Sequence, residues 1–337
     1  MELTPRKEKI LSEVVQEFLT SGEPVGSKAL ADRIGVSSAT IRNEMADLID
    51  LGLLQQPHTS AGRVPTQQGY REYVNRMAVP ELTAREKSYF MTELLSSGYE
   101  PERILQRVAQ VLSAVSRCAA VVTSPNGSGA KIKAVQFVQT SRRTAMLLMM
   151  SSAGTLKSRV FRCDFDLSGD MMRVLFRLFN ERVAGVRVSE ITPAFLQSAA
   201  ISFGDIYALA AAPLTALMET AQDTSRTDVY VSGQMNLLFC PQLPHRQILD
   251  LLDSKEELTQ LLETRPGKVT ALIGSECGLT PLREASVLVG RYRVGPQDAG
   301  SLAVIGPMQM DYPKLTAVLQ FLTDEVGDLL TGLLREE

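Results

Sequence analysis

The sequence predicts an α+β protein of several domains, headed by a winged helix-turn-helix. Three observations predict it. Residues 1–77 show helical apolar periodicity broken by Gly22, Pro24 and Gly35, followed by a short polar, glycine-containing loop. From Ala119 the apolar period shortens to two. A helical block over 168–226 then separates two strand-rich stretches, the pattern of an α/β domain carrying an insertion. With 337 residues the chain has room for two or three domains.

In the first helix Ile10, Val14 and Phe18 lie on one row and Leu11, Val15 and Leu19 on the next. That i, i+4 spacing makes an amphipathic stripe. Ser27 is placed to cap a second helix that turns Leu30, Ala31 and Ile34 inward, and Gly35 supplies the tight turn. Ser37 caps a third helix reaching about Asp50. Residues 81–117 read as two helices, with Pro101 near the start of the second and Ile104, Val108, Val111 and Val115 on its apolar row. AAVVTSP (119–125), AVQFVQT (134–140), TAMLLMM (144–150) and LKSRVFRC (156–163) read as strands. NGSG (126–129) and SAG (152–154) read as turns. Strand character returns at 228–233, 268–274, 285–294 and 301–307. Asp311 and Pro313 start a last helix with Leu315, Leu319, Leu322, Val326, Leu329 and Leu333 on one face. The expected division is a head at 1–80, a helical linker at 81–117, an α/β domain in two segments (118–167 and 227–337) and a helical insert at 168–226.

Composition narrows the function. Lys+Arg total 35 against 38 Asp+Glu, a net charge of −3, so any nucleic-acid contact must be local. No apolar run is long enough to span a membrane, and MELTPRKEKI lacks an apolar signal core, so a cytoplasmic protein with no membrane contact is expected. The nearest cysteines, Cys240 and Cys277, lie 37 residues apart, which excludes CxxC motifs and fits reduced thiols. With two histidines only, metal catalysis is not expected. Ser275 in IGSECG falls short of a nucleophile elbow because residue 273 is Ile, and NGSGAKI lacks the third glycine of a dinucleotide fingerprint. No catalytic set, metal cluster or cofactor motif emerges, and an enzyme fused to a DNA-binding head is disfavoured.

Helix, tight turn, helix is the geometry of a DNA reader, although the same topology also occurs as packing only, with Arg42, Glu44 and Asp47 as ordinary solvated helix surface. In the third helix Ile41, Met45 and Leu48 share the inward face. The opposite face carries Ala39, Asn43, Ala46 and Asp50, flanked by Thr40 and Arg42. The alanines keep that face slim. Asn43 has the donor and acceptor that match an adenine edge, and Arg42 can fork onto guanine or grip phosphate. Ser37 and Ser38 present hydroxyls and free N–H groups at the helix N-terminus, suited to a phosphate. LLQQPHTSAGRVPT then reads as a β-wing with Thr59, Ser60, Gly62 and Arg63 near its tip, and His58 beside it as a loop or phosphate contact. Against this stands the charge of residues 1–77: nine Lys/Arg and ten Asp/Glu, a net of −1, unusual for a DNA module.

The run from Glu23 to Val74, with SSATIRNEM and PHTSAGRVPT at its centre, closely resembles the N-terminal segment of the HrcA-type heat-inducible transcription repressors. VSGQMNLL (231–238), IGSECGL (273–279), YRVG (292–295) and GSLAVIGPMQMDY (300–312) resemble the same family, so the likeness spans nearly the whole chain. It implies a winged-helix domain, a GAF-like α/β domain and a helical dimerisation domain inserted into the latter. It also implies a homodimer that binds an inverted-repeat operator upstream of chaperone genes, leaves it on heat shock, and regains activity through the chaperonin. The operator-reading role then falls on Ser37, Ser38, Thr40, Arg42 and Asn43 and on the wing residues His58, Thr59, Ser60, Gly62 and Arg63. The alternative is a metabolite-responsive regulator whose GAF-like domain binds a small ligand, although no cluster of ligand-binding residues names one.

Overall fold

The structure, a computed structural model, describes residues 3–58, 61–125, 127–203, 207–263 and 267–334. Its head contains α1 (Pro5–Ser21), α2 (Ser27–Ile34), α3 (Ser38–Asp50), β1 (Leu54–Gln55), β2 (Val64–Pro65) and α4 (Gln67–Arg76). Thr4 caps α1, and Gly22, at φ 72°, ends it. Ile10, Leu11, Val14 and Val15 are buried with Leu30, Ile41, Met45 and Leu48, so the rows read from the sequence pack together, as part of a core that runs on into the rest of the chain. Each such side chain contributes about 1.5–3 kcal/mol by leaving water. Gly26, rather than Ser27, occupies the cap position of α2. Ser27 is the first helical residue, and its hydroxyl bonds that of Ser38 instead, at 2.9 Å.

After α5 (Ala84–Leu95) and α6 (Pro101–Ser116) comes a five-stranded antiparallel sheet. Its strands are β3 (Ala119–Thr123), β7 (Val229–Ser232), β8 (Val269–Ile273), β9 (Ala285–Val294) and β10 (Gln297–Pro307), in spatial order β7-β3-β10-β9-β8. The pleat sends Ala120 and Val122 to one face and Ala119 and Val121 to the other. The first face is covered by α6 and α12 (Tyr312–Leu334), the second by α10 (His245–Asp253) and α11 (Lys255–Glu263). Cover on both faces explains why AAVVT is apolar at almost every position. The apolar rows of α5 and α6 join the same core as the head, so 81–117 is packed structure rather than a bare linker.

The placement of β4 (Ile132–Gln139), β5 (Thr144–Ser151) and β6 (Leu156–Arg162) differs from the sequence expectation. They do not extend the large sheet. They form a three-stranded antiparallel sheet of their own, order β4-β5-β6. One face shares a separate core with α7 (Gly169–Val183) and α9 (Tyr207–Ser225), near α8 (Pro193–Phe203). The chain leaves the large sheet after β3 and returns at β7, whose Val229 pairs with Thr123. The excursion is therefore mixed α/β and begins before residue 132, whereas the sequence reading placed a purely helical insert at 168–226. The cause is visible in β5: Ala145, Leu147 and Met149 point into the core while Met146, Leu148 and Met150 point away. A strand apolar on both sides reads as one belonging to a doubly covered sheet.

Candidate nucleic-acid interface

Ser37 caps α3 by accepting the Thr40 N–H at 3.1 Å, and its hydroxyl lies 2.9 Å from that of Thr40. The cap fixes the start of the helix, and burial of Ile41, Met45 and Leu48 fixes its rotation. Ala39, Arg42, Asn43, Ala46 and Asp50 then face solvent. Among the described residues neither Arg42 nor Asn43 has a side-chain hydrogen bond or ion pair, so their donors and acceptor point into water. The Ser27–Ser38 contact joins the first turns of α2 and α3. It places Lys28, exposed and without an ion pair among the described residues, beside this surface. The sequence reading missed Lys28; its signal is a cation in the first turn of a helix that abuts the N-terminus of α3.

The charge objection weakens once the ion pairs are seen. Lys7 reaches Asp47 at 2.8 Å and Glu44 at 3.7 Å, and Arg6 reaches Glu44 at 3.6 Å. The hydrogen bond to Asp47 is the main reason that the Lys7 pKa lies above its ordinary value. Arg33 pairs with Glu17 at 2.7 Å, and Arg76 pairs with Glu8 and Glu72. Six acids of the head (Glu8, Glu13, Glu17, Glu44, Asp47 and Glu72) are thus engaged by its own cations, while Arg42 and Lys28 stay free to act on an anion.

The wing is placed differently from the reading. β1 pairs with β2, Leu54 opposite Pro65 and Gln55 opposite Val64. Arg63 lies at the base of the wing, not its tip, half-buried and bridged to Val25 by two backbone bonds of 2.9 and 2.8 Å. One guanidinium nitrogen donates to the Ala61 carbonyl at 3.2 Å. Gly62 packs against the same segment: a Cβ there would stand 2.5 Å from the Val25 carbonyl carbon and oxygen. Its absent side chain serves close backbone approach. His58 is exposed, with its carbonyl accepting from Ala61 N–H at 2.9 Å. Thr59 and Ser60 lie outside the described residues. The structure therefore gathers Ser37, Ser38, Thr40, Arg42 and Asn43 on one helix end and face, and separates Gly62 and Arg63 from the exposed part of the wing.

The model of the winged helix-turn-helix transcription repressor, HrcA DNA-binding, matches residues 2–78, and that of the HrcA protein C terminal domain matches 102–316. The chain belongs to the HrcA family of heat-inducible transcription repressors. It is 31% identical to the heat-inducible transcription repressor HrcA of Desulforudis audaxviator (strain MP104C), across 99% of this chain and 100% of that one. The HrcA of Clostridium tetani (strain Massachusetts / E88) is 30% identical, covering 98% and 96%. A solved structure titled "Crystal structure of a hypothetical protein at 2.2 A resolution" superposes with a TM-score of 0.71 at 24% identity, covering 98% of this chain and all of that one. That likeness concerns the fold alone. HrcA membership makes this a transcription regulator rather than an enzyme. Among the described residues no helix is long and apolar enough to cross a membrane.

Proposed function

We propose that this HrcA protein represses transcription as a homodimer that reads an inverted-repeat operator with α3. The observation that carries the reading is the unpartnered Arg42 and Asn43 on a slim, capped helix face between Ala39 and Ala46. Ser37, Ser38, Thr40 and Lys28 supply phosphate contacts at the helix ends. His58 and the wing beyond it meet the flanking backbone.

A head of near-neutral charge binds weakly alone, and two linked heads gain affinity through effective concentration. The outer face of β4–β6 supports a second copy as the linker. Val138, Met146, Leu148, Met150, Leu156 and Val160 lie on it, and Val160 and Leu156 are 61% and 53% exposed. An apolar sheet face of this kind calls for a partner, and the same face on a second copy pairs about a two-fold axis as an inverted repeat requires. Release on heat shock follows from loss of this dimer, which frees the apolar face. The chaperonin then acts on the exposed apolar surface and restores the dimer. The operator lies upstream of chaperone genes, which closes a feedback loop.

The test is a mobility-shift titration with an inverted-repeat duplex against a scrambled duplex, using the wild type and Asn43→Ala. A specific shift that weakens in the variant supports the reading. Equal binding to both duplexes by folded, dimeric protein refutes it.

A further inference from the structure

The turn at 273–277, which resembles a nucleophile elbow without satisfying one, holds the head. Gly274 has φ +57°, and a Cβ there would lie 2.6 Å from the side-chain oxygen of Gln67. In the space so kept, the Ser275 N–H donates to Gln67 Oε1 at 3.2 Å and Gln67 Nε2 donates to Ser275 Oγ at 2.8 Å. One turn along α4, Arg71 forks onto Glu276, with Nε donating to Oε1 at 2.8 Å and Nη2 to Oε2, and the same Nη2 also donates to the Ala271 carbonyl at 2.6 Å. Glu276 is itself held by the Ile273 N–H at 2.9 Å. A two-pronged fork of this kind fixes direction as well as distance. The Tyr70 ring packs on that of Tyr312, centroids 6.1 Å apart. Among the described residues the buried Tyr70 hydroxyl has no hydrogen-bond partner, a cost that offsets part of the apolar gain and leaves orientation to the polar clamp.

The clamp continues to the reading helix. Arg76 on α4 pairs with Glu8 on α1, and the neighbouring Lys7 pairs with Asp47 on α3. Head and large sheet also share one apolar core. We propose that Gln67 and Arg71 with Ser275 and Glu276 form a positioning clamp that sets the orientation of α3 relative to the dimer and thereby the spacing of half-sites the protein accepts. This rests on the operator reading above. None of the four residues touches DNA in this scheme; they act through α4.

The test measures binding to inverted repeats whose half-sites are moved apart one base pair at a time, and to a single half-site. Two added base pairs turn a half-site by about 70° and shift it by about 7 Å. Wild type is expected to lose at least about tenfold in affinity at that step, and Gln67→Ala/Glu276→Gln about threefold or less, because loosely linked heads tolerate span. Arg71→Lys, which keeps the charge and removes the fork, falls between. Single-half-site binding and the melting temperature of the dimer check that the variants remain folded. An unchanged spacing penalty in a folded, dimeric variant overturns the clamp, as does a variant that binds the best repeat more tightly than wild type. A wild type that prefers the repeat yet ignores spacing overturns the clamp and leaves the operator reading intact. A wild type that does not distinguish repeat from scrambled duplex overturns both.

Discussion

The solvent face of α3 and the outer face of β4–β6 are both exposed, and they are chemical opposites. The first offers a guanidinium, an amide and hydroxyls with small residues between them, on a helix whose rotation is locked by Ile41, Met45 and Leu48. The second offers methionine, leucine and valine side chains on a sheet whose inner face is already packed. Leaving Arg42 and Asn43 in water costs nothing, so their freedom marks a surface able to wait for a polar partner. Leaving Val138, Leu156 and Val160 in water forgoes about 25 cal/mol for each Å² that a partner would cover. One face therefore suits reversible recognition of a polar duplex, and the other suits lasting cover by protein.

The largest break in this contrast is expected from Val160→Asp. It puts a charge on the apolar face at a position exposed enough to spare the monomer's fold. Sedimentation at micromolar protein should show monomer, and operator affinity should fall by about 10²-fold or more once the heads are no longer linked. A dimer of wild-type strength would place the interface elsewhere. Next in size, Arg42→Ala and Asn43→Ala should each cost about 1–3 kcal/mol of specific binding while dimerisation stays unchanged. Titrations against single-base operator variants would then show relaxed preference at one position in each half-site. If both substitutions were silent, the reading face would be wrong.

Lys28→Ala sharpens the comparison with a smaller effect. Binding should weaken by a similar factor on specific and scrambled duplexes, and the slope of log K against log salt should become shallower by about 0.9 for each phosphate no longer neutralised. An unchanged slope would remove Lys28 from the interface.

The smallest effect lies away from both faces. Glu86 joins α5 to α12 through Lys314 and closes the capping box with Thr83. The hydrogen bond from Lys314, then those from Thr83, lower its pKa from the ordinary 4.5 to about 2. A lowered carboxyl pKa stabilises the fold fully above 4.5 and ceases to do so as pH falls toward 2. Acid unfolding of Glu86→Gln should lack this portion of the pH dependence, so wild type and variant should converge at the acid end of that window. Parallel curves throughout would show that the pair makes no such contribution.

The head was largely legible because its signals are local. Rows at i and i+4, a serine before a helix and a glycine after it report on a few consecutive residues, and the solvent face of α3 follows from its own inward face. Arg63 was not legible in this way. Its place at the wing base depends on a bridge to Val25, far back in the chain, and nothing near Arg63 announces that bridge. Ser275 and Glu276 were visible as a motif but without a purpose, because their partners Gln67 and Arg71 come from another part of the chain.

The sequence by itself determined most of the helices and strands, though not α10 and α11, and which side chains on α3 are left for a partner, since side-chain periodicity and capping are properties of neighbouring residues. Tertiary structure alone decided which strands share a sheet, which apolar face stays uncovered, and how the head sits on the large sheet. Those outcomes depend on pairings between distant segments, where backbone hydrogen bonds look alike for any strand and the choice falls to the packing of whole faces.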